Sequence, residues 1–445
     1  MKKAIAFVLV LALLTSVGSI GLVRATPYIV ILTVCVVSIL VALGKIDAKC
    51  IPMYVFGLAL ARLWQTSMLG VNVVGVDIHN ELSIVRHSIE NGWVVHWANG
   101  NNSSLVLGGL APVLAKYLGL SPTWQFKALY PAIYACTPVL LYCIYKRMIG
   151  SRYAYLAVLF IVVMPMFSME MTSMVKSLVA QTLLALAVWI LVCSKAGKKY
   201  KVAGMTVALG IAIASHYTIG LMIVIYFVGA LAVLIALKRW LKPNTLSLRG
   251  FSTVTLAVVL VCFGYYSWFG GGFMFNTFVA TGQSIAQTST AMMSGDSAPQ
   301  GYLDRTRPNE STKANDEQPN ESTQTKESKR PMYLSLQEPL VRTALGLDFG
   351  EASAYGKAFR VLQYLTELLL VVGLFCMFRR KYEISTEYKA LVIASFGVLA
   401  SCLFVPFFST TVSVTRFYMV ALTFIAPLLV LGAEGIYDLA KVRIK

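Results

Sequence analysis

Charge is scarce in this chain. Only 13% of its 445 residues are Asp, Glu, Lys or Arg, against 57% hydrophobic. A soluble domain is near one quarter charged, so too little polar surface exists to cover a water-exposed globule. Cysteine is too sparse and too scattered for metal or redox chemistry. The eight cysteines (35, 50, 136, 143, 193, 262, 376 and 402) lie in or beside apolar runs and form no CxxC pair, which reads as apolar packing. No Gly-rich phosphate loop or cytoplasmic Rossmann-type segment is present, which argues against a nucleotide-bound donor. No repeat recurs at a fixed period, and the halves show none of the inverted similarity common in secondary transporters.

What is present is apolar length. Runs of about 20 residues, the length that spans a hydrocarbon core, recur from end to end. They predict an all-α polytopic membrane bundle of about twelve spans, at 4–23, 26–44, 51–69, 124–145, 153–168, 172–194, 202–214, 218–237, 251–269, 357–378, 390–408 and 417–437. Lys2 and Lys3 before the first run also suit a signal peptide. The regions are then 1–269 (with a first outer loop at 70–123), an outer loop at 270–356, and a three-helix region at 357–445.

The net charge of +18 sits in short clusters between apolar runs, not on one aromatic-laced face. That excludes nucleic acid as a partner and marks membrane topology instead. With a cytoplasmic N-terminus, the alternate segments at 2–3, 45–49, 146–152, 195–201, 238–249, 379–389 and 441–445 hold 22 Lys and Arg. The short segments on the other side hold four: Arg24, Arg86, Lys116 and Arg416. The positive-inside rule then puts both termini in the cytoplasm. The tract 284–330, rich in Ser, Thr, Asn, Gln and charge, buries too little to order itself and reads as disordered. Asn101, Asn102, Asn309 and Asn320 head sequons on the expected outer side.

The first outer loop carries Asp77-Ile-His79-Asn-Glu81 at its start. Ile78, Leu82, Val85 and Ile89 recur at helical spacing, with Gly92 suited to the helix end. The pattern predicts an amphipathic helix lying flat on the outer leaflet, with Trp93 and Trp97 as interface anchors. Asp77 and Glu81 share a face on a helix; Asp77, His79 and Glu81 align in an extended segment. Asp77 as helix N-cap with solvated neighbours is equally open. The apolar stretch Ser103–Gly119, with Gly108-Gly109 and Pro112, reads as a re-entrant or interfacial helix.

Ionisable groups near the expected outer face are functional candidates, since charge within a membrane is costly. They are Glu170, Lys176, His216 and Arg416. Lys127, Lys357 and Arg360 read as snorkelling to headgroups. Acids to activate a nucleophile beside cations to hold a phosphate point to a reaction on a lipid-linked phosphate.

Six stretches carry a family likeness: Gly75-Val-Asp-Ile-His-Asn-Glu81, Trp124-Gln-Phe-Lys-Ala-Leu-Tyr-Pro131, Ser168-Met-Glu170, Ser215-His-Tyr217, Gly346-Leu-Asp-Phe-Gly350 and Thr415-Arg-Phe-Tyr418. In their order and spacing the chain resembles the GT-C superfamily of membrane glycosyltransferases, and within it a set of poorly characterised archaeal membrane proteins. The resemblance implies a sugar taken from a polyprenyl-phosphate carrier at the extracytoplasmic face of the plasma membrane, with a lipid, glycan or protein as acceptor. It implies Asp77 as general base, with Glu81 and His79 as helpers or, with Asp77, as ligands of a divalent cation such as magnesium or manganese. Arg416, Lys176, His216 and Glu170 would meet the substrate and its phosphate. A polysaccharide polymerase or ligase would want histidines in the late outer loop, which has none; a flippase for a lipid-linked glycan would want charge at the bilayer midplane.

Overall fold

The computed structural model describes residues 2–19, 26–93, 100–272, scattered positions between 275 and 290, and 342–343, 345–379, 381–404 and 414–444. Among them every regular element is helical. The helices are α1 Lys2–Ser19, α2 Thr26–Ala42, α3 Ile51–Ser67, α4 Asp77–Asn91, α5 Val106–Leu118 and α6 Pro122–Ile149. They continue with α7 Ser151–Val163, α8 Pro165–Ser168, α9 Val175–Val192, α10 Lys198–Ser215, α11 Tyr217–Ala236 and α12 Leu248–Trp268. The last are α13 Ala354–Cys376, α14 Thr386–Phe404 and α15 Val414–Ile444.

A helix stands at each of the twelve expected positions, but the count of twelve membrane crossings is not established. Six helices are long and apolar enough to cross on length and composition, and a seventh if the bent pair after Gly150 is one span. The bend there is 68°, at Pro165, whose ring cannot continue a helix already turning. The others are shorter or more polar. The 17-residue α3 contains Arg62, α10 opens on Lys198-Lys-Tyr-Lys201, and α14 opens with Glu387 and Lys389.

Contacts between connecting segments sort the bundle into two ends. At one end Glu387 accepts the amides of Thr245 and Leu246 at 2.9 and 2.6 Å, and Cys193 reaches the carbonyl of Cys143. At the other, Ser104 donates to the carbonyl of Ser215 at 2.7 Å, and Tyr265 to that of Ser103 at 2.7 Å. The second end carries α4. α13 crosses α15 closely: a Cβ on Gly373 would sit 2.0 Å from the Leu428 carbonyl and one on Gly432 2.0 Å from that of Leu369. Small residues let backbones approach where packing, rather than water, must hold helices together.

At several points the structure departs from what the sequence predicts. α4 does not offer its apolar side to lipid. Ile78, Leu82 and Val85 are buried as the spacing predicts, but against α5 and the start of α6. Trp93 is half-buried rather than a headgroup anchor: its indole N–H donates to the Asn102 carbonyl at 2.7 Å, and its ring stacks on Phe269. A Cβ on Gly108 would lie 2.1 Å from that indole nitrogen, so only glycine lets the indole settle there. Asn102 is 2% exposed, a poor glycan acceptor while the fold holds. The tract 284–330 lies almost wholly outside the described residues, and so do Trp97, Asn309, Asn320 and the side chain of Asn101. Ser103–Gly119 forms the short apolar α5, ended by Gly119 in the left-handed conformation at φ +64°.

Candidate functional site

The site begins where the chain leaves α3. Lys127 is 2% exposed and does not snorkel. Its ammonium donates to the carbonyls of Leu69 and Asn72 at 3.2 and 2.9 Å, pinning the segment that leads to α4. Gly75 then turns at φ +134°, and a Cβ there would lie 2.6 Å from that of Ser173. Glycine serves twice: it accepts a backbone region hostile to other residues, and it lets α4 start against the turn that follows Glu170.

Asp77 opens α4 but does not cap it. The N-cap is Val76, with no side-chain cap bond. The Asp77 carboxylate is instead half-exposed, and its Oδ2 accepts from Arg416 on α15 at 3.1 Å. Arg416 Nε lies 3.9 Å from Glu170 Oε1, within ion-pair range but beyond a hydrogen bond. Asp77, Glu170 and Arg416, distant in sequence, meet at one end of the bundle. An ion pair this open contributes about 0–1 kcal/mol, so fold stability does not explain its placement.

Glu81 and Lys176 form a second layer beneath. Glu81 is fully buried, although a single helical turn from Asp77. Its Oε2 accepts the Val175 amide at 2.7 Å, and its Oε1 faces the Lys176 ammonium at 3.3 Å. Burial raises the Glu81 carboxyl above its ordinary value, with Lys176 and the backbone amide opposing in part. The Lys176 ammonium also lies 5.5 Å from the ring centroid of Tyr217, within cation–π range. Glu81 thus ties α4 to the start of α9, which fixes where Asp77 points.

His79 is exposed, on the opposite side of α4 from Glu81. With Arg86, His87 and Glu90 it lines an open cavity of about 320 Å³. Asp77, His79 and Glu81 therefore do not converge, and the divalent-cation reading of these three residues does not fit. One carboxylate is engaged by Arg416 and one by Lys176 and an amide, while the imidazole faces away. Among the described residues no three His, Cys, Asp or Glu side chains are grouped to hold a metal.

His216 is completely buried between α10 and α11. Its Nδ1 caps α11 by accepting the amides of Thr218 and Ile219 at 3.1 and 3.4 Å. Burial drives its pKa well below the usual histidine value, with the charges of Lys176 and Arg416 pushing the same way. The Tyr130 hydroxyl is buried within electrostatic reach of Glu81 and has no hydrogen-bond partner among the described residues. The sequence reading missed it, because a tyrosine in an apolar span gives no signal of its own. Arg360, also expected to snorkel, pairs with Asp348 at 2.8 Å, and Lys357 is exposed beside the Phe349 ring.

Two families match parts of the chain. The family described as dolichyl-phosphate-mannose-protein mannosyltransferase matches residues 118–268, the stretch that carries Lys127, Glu170, Lys176 and His216. The family described as predicted membrane protein (DUF2206) matches residues 347–445, which carries Asp348, Arg360 and Arg416. Asp77 lies in neither stretch. No curated protein matches the chain. Each match covers less than half of the chain; together with an all-helical fold whose apolar helices suit a bilayer, they support a membrane protein of the GT-C kind.

Proposed function

We propose that this protein is a glycosyltransferase. It moves a sugar from a polyprenyl-phosphate carrier, such as a dolichyl phosphate, to an acceptor hydroxyl at the extracytoplasmic face of the plasma membrane. The observation that carries this reading is the half-exposed Asp77 carboxylate held by Arg416 beside Glu170, on an end of the bundle that the positive-inside rule puts outside. The match to a dolichyl-phosphate-mannose-protein mannosyltransferase family supports the donor class.

In this reading the acceptor hydroxyl is a weak nucleophile until a carboxylate within hydrogen-bond reach takes its proton. Asp77 receives that proton as the acceptor oxygen bonds to the anomeric carbon. The bond from that carbon to the phosphate oxygen breaks, and its electron pair leaves with the phosphate. Arg416, with guanidinium geometry suited to oxyanions, compensates the growing charge. Glu170 orients Arg416, and Lys176 adds positive charge from below while it neutralises Glu81. The prenyl tail lies along α5 and its neighbours.

The test is transfer of radiolabelled sugar from polyprenyl-phosphate donors by the purified protein, with Asp77→Asn alongside. Label reaching a new product only with the unmutated chain is the expected result. Label transferred equally by both would sink the assignment of Asp77. Lipid moved across vesicles with no covalent product would replace the transferase by a flippase.

A further inference from the structure

His216 holds a hydrogen atom that the fold leaves unused. Nδ1 accepts two backbone amides, so its lone pair is spent and the neutral ring must carry its proton on Nε2. That Nε2–H is buried and has no partner among the described residues. Buried polar groups are nearly always bonded, and an exception calls for a missing partner. The His216 ring lies 5.2 Å from that of Tyr217, and the Lys176 ammonium lies 5.5 Å from the same Tyr217 ring, which puts the orphan donor beside the candidate site; the charges of Lys176 and Arg416 both act on the imidazole. Both cations already face carboxylates, Glu81 for one and Asp77 with Glu170 for the other. An arriving phosphate therefore needs donors that are not already committed. Arg416 Nε and the Tyr130 hydroxyl, also buried without hydrogen-bond partners among the described residues, are further donors near this site.

We propose that His216, its Nδ1 committed to capping α11, donates from Nε2 to an oxygen of the phosphate group on the lipid-linked sugar. The proposal rests on the transferase reading and adds to it a neutral phosphate-binding residue. Neutrality suits the task, because an imidazole flanked by two cations binds an oxyanion without adding a third buried charge.

The two nitrogens can be tested apart. Asn and Ser are good N-caps, so His216→Asn and His216→Ser keep the cap and remove the deeper donor, whereas His216→Ala removes both. The probes are polyprenyl monophosphate, neutral polyprenol and inorganic phosphate, titrated into the purified full chain. The expected result is melting like the unmutated protein for the Asn or Ser variant, with polyprenyl monophosphate bound about 10- to 100-fold more weakly, the scale for a hydrogen bond to a charged group. Polyprenol binding should not change, and inorganic phosphate should compete only weakly. Asn and Ser variants that melt normally and bind polyprenyl monophosphate as the unmutated chain does would overturn the proposal and leave a capping role alone. Equal binding of polyprenol and its phosphate by the unmutated chain would overturn it too, and inorganic phosphate competing as strongly as the lipid would overturn the lipid as its source. Loss of transfer in Asp77→Asn with unchanged lipid binding keeps the transferase reading separate from this outcome.

Discussion

The helix α15 carries a polar cluster at each end, and the two are built differently. Near its C-terminal half, Glu434 accepts from Lys381, Tyr382 and Tyr153, and Arg379 pairs with Asp438 one turn further on. Near its N-terminus, Arg416 holds the half-exposed Asp77 but leaves Nε short of Glu170. Eighteen residues separate Arg416 from Glu434, roughly 27 Å along a helix. Glu434 is saturated with donors and joins three segments, as a structural network does. The Asp77 end keeps an open carboxylate and, among the described residues, buried donors without partners, which a bound ligand would complete. On α15 it is satisfaction, rather than the mere presence of charge, that separates the two ends.

The sharpest way to break this comparison is Asp77→Asn. Removing a general base lowers turnover by about 100- to 10,000-fold. Because the pair with Arg416 is open, stability should change by no more than about 1 kcal/mol. Radiolabel transfer and thermal melting of the same preparation check both halves. A large drop in melting temperature would move Asp77 from the site to the brace.

Next comes the buried layer. Lys176→Met strands Glu81 beneath the site, and removing one partner of a buried pair costs about 3–5 kcal/mol. Glu81→Gln added to Lys176→Met should recover most of that loss, since two neutral groups of similar volume need no counter-charge. Denaturation of both singles and the double closes the cycle. Additive losses would mean that Glu81 and Lys176 act independently of one another. Smaller again is Glu434→Gln, which weakens charge-assisted bonds at the other end by about 1–3 kcal/mol. Transfer per folded molecule should stay as in the unmutated chain. A selective loss of transfer would erase the distinction between the two ends.

What the sequence made legible is what is local. Apolar length placed a helix at each expected position, and a 3.6-residue spacing predicted which side of α4 is buried. Partners were not legible, because they come from far away: Asp77 and Arg416 are 339 positions apart. Glu81 shows the limit. Helical spacing put it beside Asp77, but 40° of rotation per i, i+4 step and a lysine on another helix turned it into the core. His79 went astray through the extended alternative, which the helix removes. Lys127 and Arg360 look like snorkelling residues until the carbonyls and carboxylate that receive them are seen. Glu434 was legible in principle, since a carboxylate inside a membrane span demands a partner.

The smallest effect tests whether Asp348 belongs with the braces. It sits in the Gly346–Gly350 turn and meets Arg360 at 2.8 Å, and the hydrogen bond from that guanidinium holds its carboxyl below the usual value. A folded-state pKa below the unfolded one gives stability that is present above about pH 4, the ordinary Asp value, and lost as pH falls through the folded pKa. Asp348→Asn should therefore melt slightly lower than the unmutated chain at pH 7. The gap should close on acidification below pH 4, as both proteins then carry a neutral side chain there. Transfer per folded molecule should not change at neutral pH, since Arg360 reaches Asp348 and Gln363 rather than Asp77. A gap in melting that persists in acid would mean that Asp348 holds the turn through its shape rather than its charge. A loss of transfer without a loss of stability would move the Asp348–Arg360 pair out of the braces and into the site.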